Sequence, residues 1–211
     1  MRFTYPKPPP RIRELAYQAL NMELLRHPHH EQTPAKAAAP GHGHVPDLHK
    51  VFILPASAVA QGKDLRAAEQ IGWHDVVVLS GVSHSIEVAQ GRKRDSAVYV
   101  MRGSDVDSEL ATLTALLGSR KTGTFEVRVL RIPSIATFVF WLYAKDRRND
   151  RLVPVISSAS QLQLGREYSP SVFFRAVRAT AVQLTARAEA QLIPAKKKAQ
   201  TKPRNSAKRQ S

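Results

Sequence analysis

The chain has 211 residues, of which 43% are hydrophobic, and it carries 32 Lys and Arg against 17 Asp and Glu, a net charge of +15. This length suits one domain with terminal extensions, and a core of ordinary size is expected. Because the chain contains no cysteine, disulfides, thiolate nucleophiles and zinc sites with sulfur ligands are excluded.

The N-terminal part combines a proline-rich start with an amphipathic pattern. Prolines in the first ten residues favour an extended segment and argue against a signal peptide. Between Arg11 and Arg26, apolar residues such as Ile12, Leu15 and Ala19 recur at helical spacing, which predicts a helix over residues 11–26. The apolar stripe of this helix should pack against another surface, which belongs either to the main domain or to a partner protein.

Residues 27–47 are rich in proline and histidine and lack a hydrophobic period, so we predict a linker. Imidazoles bind Zn, Cu or Ni, but no cysteine or carboxylate pattern fixes a geometry here, and we predict neither a specific metal site nor a cofactor. With helix 11–26, the linker forms an N-terminal extension, 1–47. The histidines in question are His27, His29, His30, His42, His44 and His49.

The core domain is predicted over residues 48–192 and contains short β-branched and aromatic runs. A short helix is expected over Lys63–Ile71 with Gly72 as its stop, and the polar turn QGRKRDS predicts a hairpin. The run at 137–144 lacks alternation and should be buried on both faces. The predicted strands are 51–54, 75–79, 85–89, 97–102, 124–131, 137–144 and 152–157.

Two longer helices follow from local signals. Asp105 to Leu117 has acidic residues in its first turn, an apolar stripe that includes Leu110, and Gly118 at its end. The last helix begins at Pro170 and should end near Pro194. The elements predict a single α+β domain with a mixed, largely antiparallel sheet and about three packed helices, and the segment from 97 to 131 is a candidate right-handed crossover.

Two stretches resemble catalytic or nucleotide-binding motifs. The loop 118–123 follows a helix instead of preceding one, so the helix dipole has the wrong sign for a phosphate cradle. The stretch LSGVSHS, 79–85, offers Ser83 and His84 after a strand, but it lacks the glycines of a nucleophile elbow and suits a turn. We therefore predict no catalytic residue and keep a hydrolase that uses Ser83 or His84 as a second alternative.

Positive charge is concentrated in predicted loops and at the C-terminus. Residues 193–211 hold seven Lys or Arg and no acidic residue, which predicts a disordered basic tail. If all seven cations met phosphates, affinity would fall by roughly 10³ to 10⁴ between 50 and 200 mM salt. The candidate contacts are Lys196, Lys197, Lys198, Lys202, Arg204, Lys208 and Arg209 in the tail, and Arg92, Lys93, Arg94, Arg147 and Arg148 in loops.

These features predict a non-enzymatic binding protein that contacts nucleic acid or another polyanion without sequence preference. The first alternative is an interaction or assembly component that docks on a protein partner through helix 11–26. No apolar run reaches the length of a membrane span, so we expect a cytoplasmic protein. The oligomeric state does not follow from the sequence.

Overall fold

Residues 2–26, 48–79, 81–90, 96–118 and 123–200 are described by a computed structural model, and they contain eight β-strands and four α-helices. The strands are β1 (Arg2–Thr4), β2 (His49–Ile53), β3 (Glu69–Leu79), β4 (Val82–Gln90), β5 (Ser96–Met101), β6 (Thr124–Ile132), β7 (Thr137–Tyr143) and β8 (Arg151–Ile156). The helices are α1 (Pro10–Arg26), α2 (Ala56–Ala60), α3 (Ser104–Leu117) and α4 (Pro170–Gln200).

All eight strands belong to one mixed sheet, which confirms the predicted α+β class. The order is β5-β4-β3-β2-β6-β7-β8, with β1 paired to the start of β6. Neighbours pair antiparallel except where β6 runs parallel to β1 and β2. The pairing of β4 with β5 confirms the predicted hairpin.

The predicted crossover unit is wrong, because three strands separate β5 from β6. Each hairpin from β2 to β5 moves the chain one strand further from β2. Helix α3 then carries the chain back across the sheet, and β6 pairs with the free side of β2. The two strands that flank α3 therefore do not form an adjacent parallel pair.

Helix α3 covers one face of the sheet, and helices α1 and α4 cover different halves of the other. Leu113 of α3 packs in one cluster with Phe140. On the opposite face, Ala16 of α1 packs with Trp73, and Phe173 of α4 packs with Trp141. Ile12, Ala16 and Leu20 of α1 are thus buried on the protein's own sheet, whereas Leu25 of the predicted stripe is exposed.

The predicted helix over 63–71 is wrong. A single 3₁₀ turn spans Leu65–Ala67, and β3 already begins at Glu69. Gly72 is not a helix stop but lies inside β3, where an added Cβ would come within 2.5 Å of the Val88 carbonyl oxygen. Pairing with both neighbouring strands outweighs the weak helical spacing of this segment.

Two helices differ from their predicted details. In α3 the buried positions include Glu109 and Leu116, whereas Leu117 is exposed, so the inner face is rotated from the expected stripe. Helix α4 continues through Pro194 to Gln200 instead of ending near the proline. Alanine, lysine and glutamine are strong helix formers, and they favour continuation although proline removes one hydrogen bond.

Parts of the predicted extensions lie outside the described residues, namely the linker 27–47 and residues 201–211 of the tail. None of the helices in the described ranges combines the length and the apolar composition needed to cross a membrane.

Candidate nucleic-acid interface

A cleft of about 240 Å³ opens on the face of the sheet that carries α1 and α4. Phe52 of β2, Arg128 of β6 and Trp141 of β7 line it from the sheet. Arg66, in the 3₁₀ turn, and Arg147, in the turn between β7 and β8, line it from the two loops. We call this site the arginine cleft, after Arg66, Arg128 and Arg147.

The strand register places Arg128 among aromatic rings. Arg128 lies opposite Trp141 of β7, so both side chains project from the same face of the sheet. Its guanidinium carbon lies 3.5 Å from the centre of the Tyr143 ring, 4.9 Å from that of Trp141 and 5.2 Å from that of Phe52. Such cation–π contacts contribute about 0.5–2 kcal/mol and hold the guanidinium in place.

Glu126 ties Arg128 to the neighbouring strand. Arg128 Nε donates a hydrogen bond of 2.8 Å to Glu126 Oε1, and Lys50 Nζ of β2 lies 3.2 Å from the same oxygen. Burial alone would raise the pKa of Glu126, but the hydrogen bonds and charges of Arg128 and Lys50 outweigh it and hold that pKa below its usual value. The ionised carboxylate therefore fixes the direction of the Arg128 side chain.

Asp150 holds the turn that carries Arg147. Its Oδ2 accepts a hydrogen bond of 3.0 Å from Trp141 Nε1, and its Oδ1 accepts one of 2.7 Å from the Ala144 N–H. Burial raises the pKa of Asp150, although these two hydrogen bonds act against the shift. The turn is thus anchored to the end of β7, which places Arg147 at the cleft.

Asp64, the remaining carboxylate of the cleft, binds a backbone group and does not pair with the side chain of Arg66 or Arg147. Asp64 Oδ1 accepts a hydrogen bond of 2.9 Å from the backbone N–H of Arg66. Neither the Arg66 nor the Arg147 side chain forms an ion pair with a carboxylate of the described residues, although the positive charge of Arg147 acts to lower the pKa of Asp150. Two exposed arginines in one cleft with a third whose guanidinium is held by aromatic rings suit phosphate or another oxyanion, because guanidinium offers planar paired donors.

Only some of the basic residues predicted to contact nucleic acid lie at the arginine cleft. Arg147 lines the cleft, and Arg148 is exposed on the same turn. Lys196, Lys197 and Lys198 belong to α4, which begins at the cleft with Pro170 and places them roughly 40 Å further along the helix axis. The predicted contacts outside the described residues are Arg92, Lys93, Arg94, Lys202, Arg204, Lys208 and Arg209.

Sequence reasoning missed Arg66 and Arg128 as site residues. The alternation in β6 correctly indicated that one face is partly wet, with Glu126 and Arg128 on it. That signal cannot identify the face as a cleft, because Phe52, Trp141 and Arg147 come from elements distant in sequence.

The serine and histidine of the hydrolase alternative do not lie together in a turn. The sharp turn is completed by Gly81, with a φ of 78°, and Ser83 and His84 are already in β4. The His84 ring is buried, its Nδ1 lies 2.9 Å from the Val82 carbonyl oxygen, and its Nε2 lies 3.9 Å from Glu23 Oε1 of α1. These contacts connect α1 to the sheet.

A different serine and histidine do meet beneath α3. His74 Nε2 lies 3.0 Å from Glu109 Oε2, and Ser85 Oγ lies 3.4 Å from His74 Nδ1. The order of groups resembles a nucleophile–base–acid set, but Ser85 and His74 have no exposed surface. A substrate has no path to the serine, so we assign this network to the attachment of α3.

The described residues contain no group of three His, Asp or Glu side chains that could hold a metal ion. His49 is in β2 and buried, and the five histidines between residues 27 and 44 lie outside those residues. The arginine cleft, with three arginines and two aromatic side chains in its lining, is the candidate site. Comparison of the chain with protein-family models, curated proteins and solved structures finds no match.

Proposed function

We propose that this chain is a non-enzymatic protein that binds nucleic acid without sequence preference, with the arginine cleft as its structured contact. The observation that carries the proposal is that Arg66 and Arg147 line one cleft with Arg128, whose guanidinium carbon lies 3.5 Å from the centre of the Tyr143 ring. Guanidinium groups bind phosphates, and planar Arg and aromatic surfaces stack on unpaired bases.

The backbone of Arg147 supplies independent support. Its φ is 56°, a left-handed conformation that costs a residue other than glycine about 1–2 kcal/mol. Glycine would adopt this conformation more easily, yet the position carries an arginine whose side chain lines the cleft. Strain at a position that a less costly residue could occupy favours a functional role for that side chain.

The lining of the cleft favours binding without base discrimination. Its carboxylates, Asp64 and Asp150, accept hydrogen bonds from groups of the protein, and no Asn or Gln is among the lining residues. Such amides read adenine and arginine can read guanine, so binding without sequence preference requires that the arginines of the cleft contact phosphates. The basic residues 196–209 add charge that is equally independent of sequence.

The experiment measures binding of random-sequence single-stranded DNA and RNA by fluorescence anisotropy at 50 mM salt. We expect the double variant Arg66→Ala/Arg147→Ala to bind roughly tenfold more weakly than the full chain. Lys7→Ala/Arg11→Ala removes the same charge from exposed positions outside the cleft and should bind nearly as well as the full chain. Equal losses in both double variants would reject the cleft, and no binding by the full chain would reject the function.

The contribution of the tail is measured separately, with a chain that ends at Leu192. It should bind more weakly than the full chain at 50 mM salt, and the difference should shrink at 200 mM because released counterions drive this contact. Equal binding by both chains would remove residues 193–211 from the proposal and leave the cleft.

A further inference from the structure

A second cleft lies beside the first, where the end of α2 meets the start of α4. It has a volume of about 480 Å³ and is lined by three cations, Lys63, Arg175 and Arg178. Asp64 and Pro170 line both this cleft and the arginine cleft, so the two sites are contiguous. We call it the α4 cleft.

The backbone positions of these cations are fixed by packing and hydrogen bonds. The Lys63 N–H donates to the Ala58 carbonyl oxygen at 2.9 Å, which ties Lys63 to α2. Helix α2 packs on α4 through Val59, which shares a buried cluster with Val177 of α4. The two elements that carry the cations are therefore held together before any ligand arrives.

Gly62 allows Arg178 to approach the backbone of this turn. Gly62 has a φ of 84°, and a Cβ added there would lie 3.2 Å from Nη2 of Arg178. The guanidinium group thus lies directly over the glycine, in a space that a side chain would restrict. Arg178 is directed toward the turn that carries Lys63.

The charges in the α4 cleft are poorly balanced. None of the side chains of Lys63, Arg175 and Arg178 forms an ion pair with a carboxylate in the part of the chain that the structure describes. Asp64, the carboxylate in the lining, is bonded to the backbone of Arg66. Three cations placed together repel one another, and an anion bound among them removes that repulsion.

We infer that the α4 cleft binds a phosphate of the same nucleic-acid strand whose neighbouring phosphate or base occupies the arginine cleft. This inference rests on the proposed function and assigns a second, adjacent contact to it. The strand runs past Asp64 and Pro170, the residues common to both clefts. Binding is therefore expected to require more than one nucleotide.

The test compares two single substitutions on α4 in the full chain. Arg178→Ala removes a cation from the cleft, and Arg187→Ala removes the same charge nine residues later, half a turn around the helix and on its other side. Both residues are exposed and alanine favours helix, so both variants should melt like the full chain by circular dichroism.

The measurement is the salt dependence of affinity for an oligothymidylate of about 20 nucleotides. Arg178→Ala should reduce the slope of log K against log salt by about 0.7, and Arg175→Ala/Arg178→Ala should reduce it by about 1.4. An increase from 50 to 200 mM salt would then weaken the binding of both proteins, and the factor by which affinity falls would be about seven times smaller for the double variant than for the full chain. Arg187→Ala should leave the slope within about 0.3 of the full chain.

The outcomes separate this inference from the proposed function. If the full chain binds the oligonucleotide and Arg66→Ala/Arg147→Ala weakens it, but Arg178→Ala matches Arg187→Ala, then the α4 cleft is not a contact. If the full chain does not bind at 50 mM salt, both proposals fail. If a mononucleotide binds as tightly as the longer ligand and with the same slope, the two clefts do not share a strand.

Discussion

The guanidinium carbon of Arg128, a lining residue of the arginine cleft, lies 3.5 Å from the centre of the Tyr143 ring. Neighbouring contacts with Trp141 and Phe52 and the hydrogen bond to Glu126 restrict the same guanidinium. The arginine is thus positioned before a ligand binds, which lowers the entropic cost of binding.

Replacing Tyr143 with alanine should lower both stability and affinity. The loss of the ring contact with Arg128 should reduce the free energy of unfolding by about 1–2 kcal/mol, measured by urea denaturation. Tyr143→Phe keeps the aromatic face and should remain within about 0.5 kcal/mol of the unsubstituted chain. If Tyr143→Ala changes neither unfolding nor oligonucleotide affinity, the ring does not position Arg128.

Arg147→Gly should reduce oligonucleotide affinity without reducing stability. Because Arg147 has a φ of 56°, glycine relieves the unfavourable backbone conformation, although it adds flexibility to the unfolded chain. We expect stability to remain equal or to rise by up to about 1 kcal/mol, while oligonucleotide affinity falls. Thermal melting and anisotropy on the same sample check this, and unchanged affinity would contradict a role for Arg147.

Substitution of Glu109 should lower the stability of the protein and leave its affinity for nucleic acid unchanged. Glu109 is the partner of buried His74, and removing one member of such a pair leaves the other without compensation. Glu109→Ala should lower the free energy of unfolding by about 1–3 kcal/mol, because His74 loses its hydrogen-bond partner in a buried position. Asp107→Ala, at an exposed position in the same helix, should cost about 1 kcal/mol or less. Similar costs for the two variants would show that the His74–Glu109 contact does not hold α3.

His49 should make the protein less stable in mild acid. Burial, followed by the charge of His74, lowers the pKa of His49 from 6.5 to about 3. Between these values the unfolded chain binds a proton that the folded chain does not, so stability is complete above pH 6.5 and decreases as the pH falls toward 3. From pH 7 to pH 5 this group alone should cost about 2 kcal/mol.

The His49→Leu variant removes that titration. Its free energy of unfolding should fall by about 2 kcal/mol less than that of the unsubstituted chain over the same pH interval, measured by urea denaturation at both pH values. Equal losses in the two proteins would show that His49 is protonated in the folded state at pH 5.

Local patterns in the sequence determined the elements whose signals are contained within one segment. The acidic first turn and Gly118 indicated the bounds of α3, the polar stretch between β4 and β5 predicted the pairing of these two strands, and the uninterrupted apolar run of β7 indicated a strand buried on both faces. Each of these depends on neighbours in the chain, which the sequence displays directly.

The tertiary structure alone decided which segments meet. Helix α1 packs on the protein's own sheet, the segment around Gly72 belongs to β3 although a helix was predicted there, and His74 contacts Glu109. The tertiary structure also brought Arg66, Arg128 and Arg147 into one cleft, although 62 residues separate the first from the second. Strand order and helix placement arise from burial summed over the whole chain, and no local pattern carries that information.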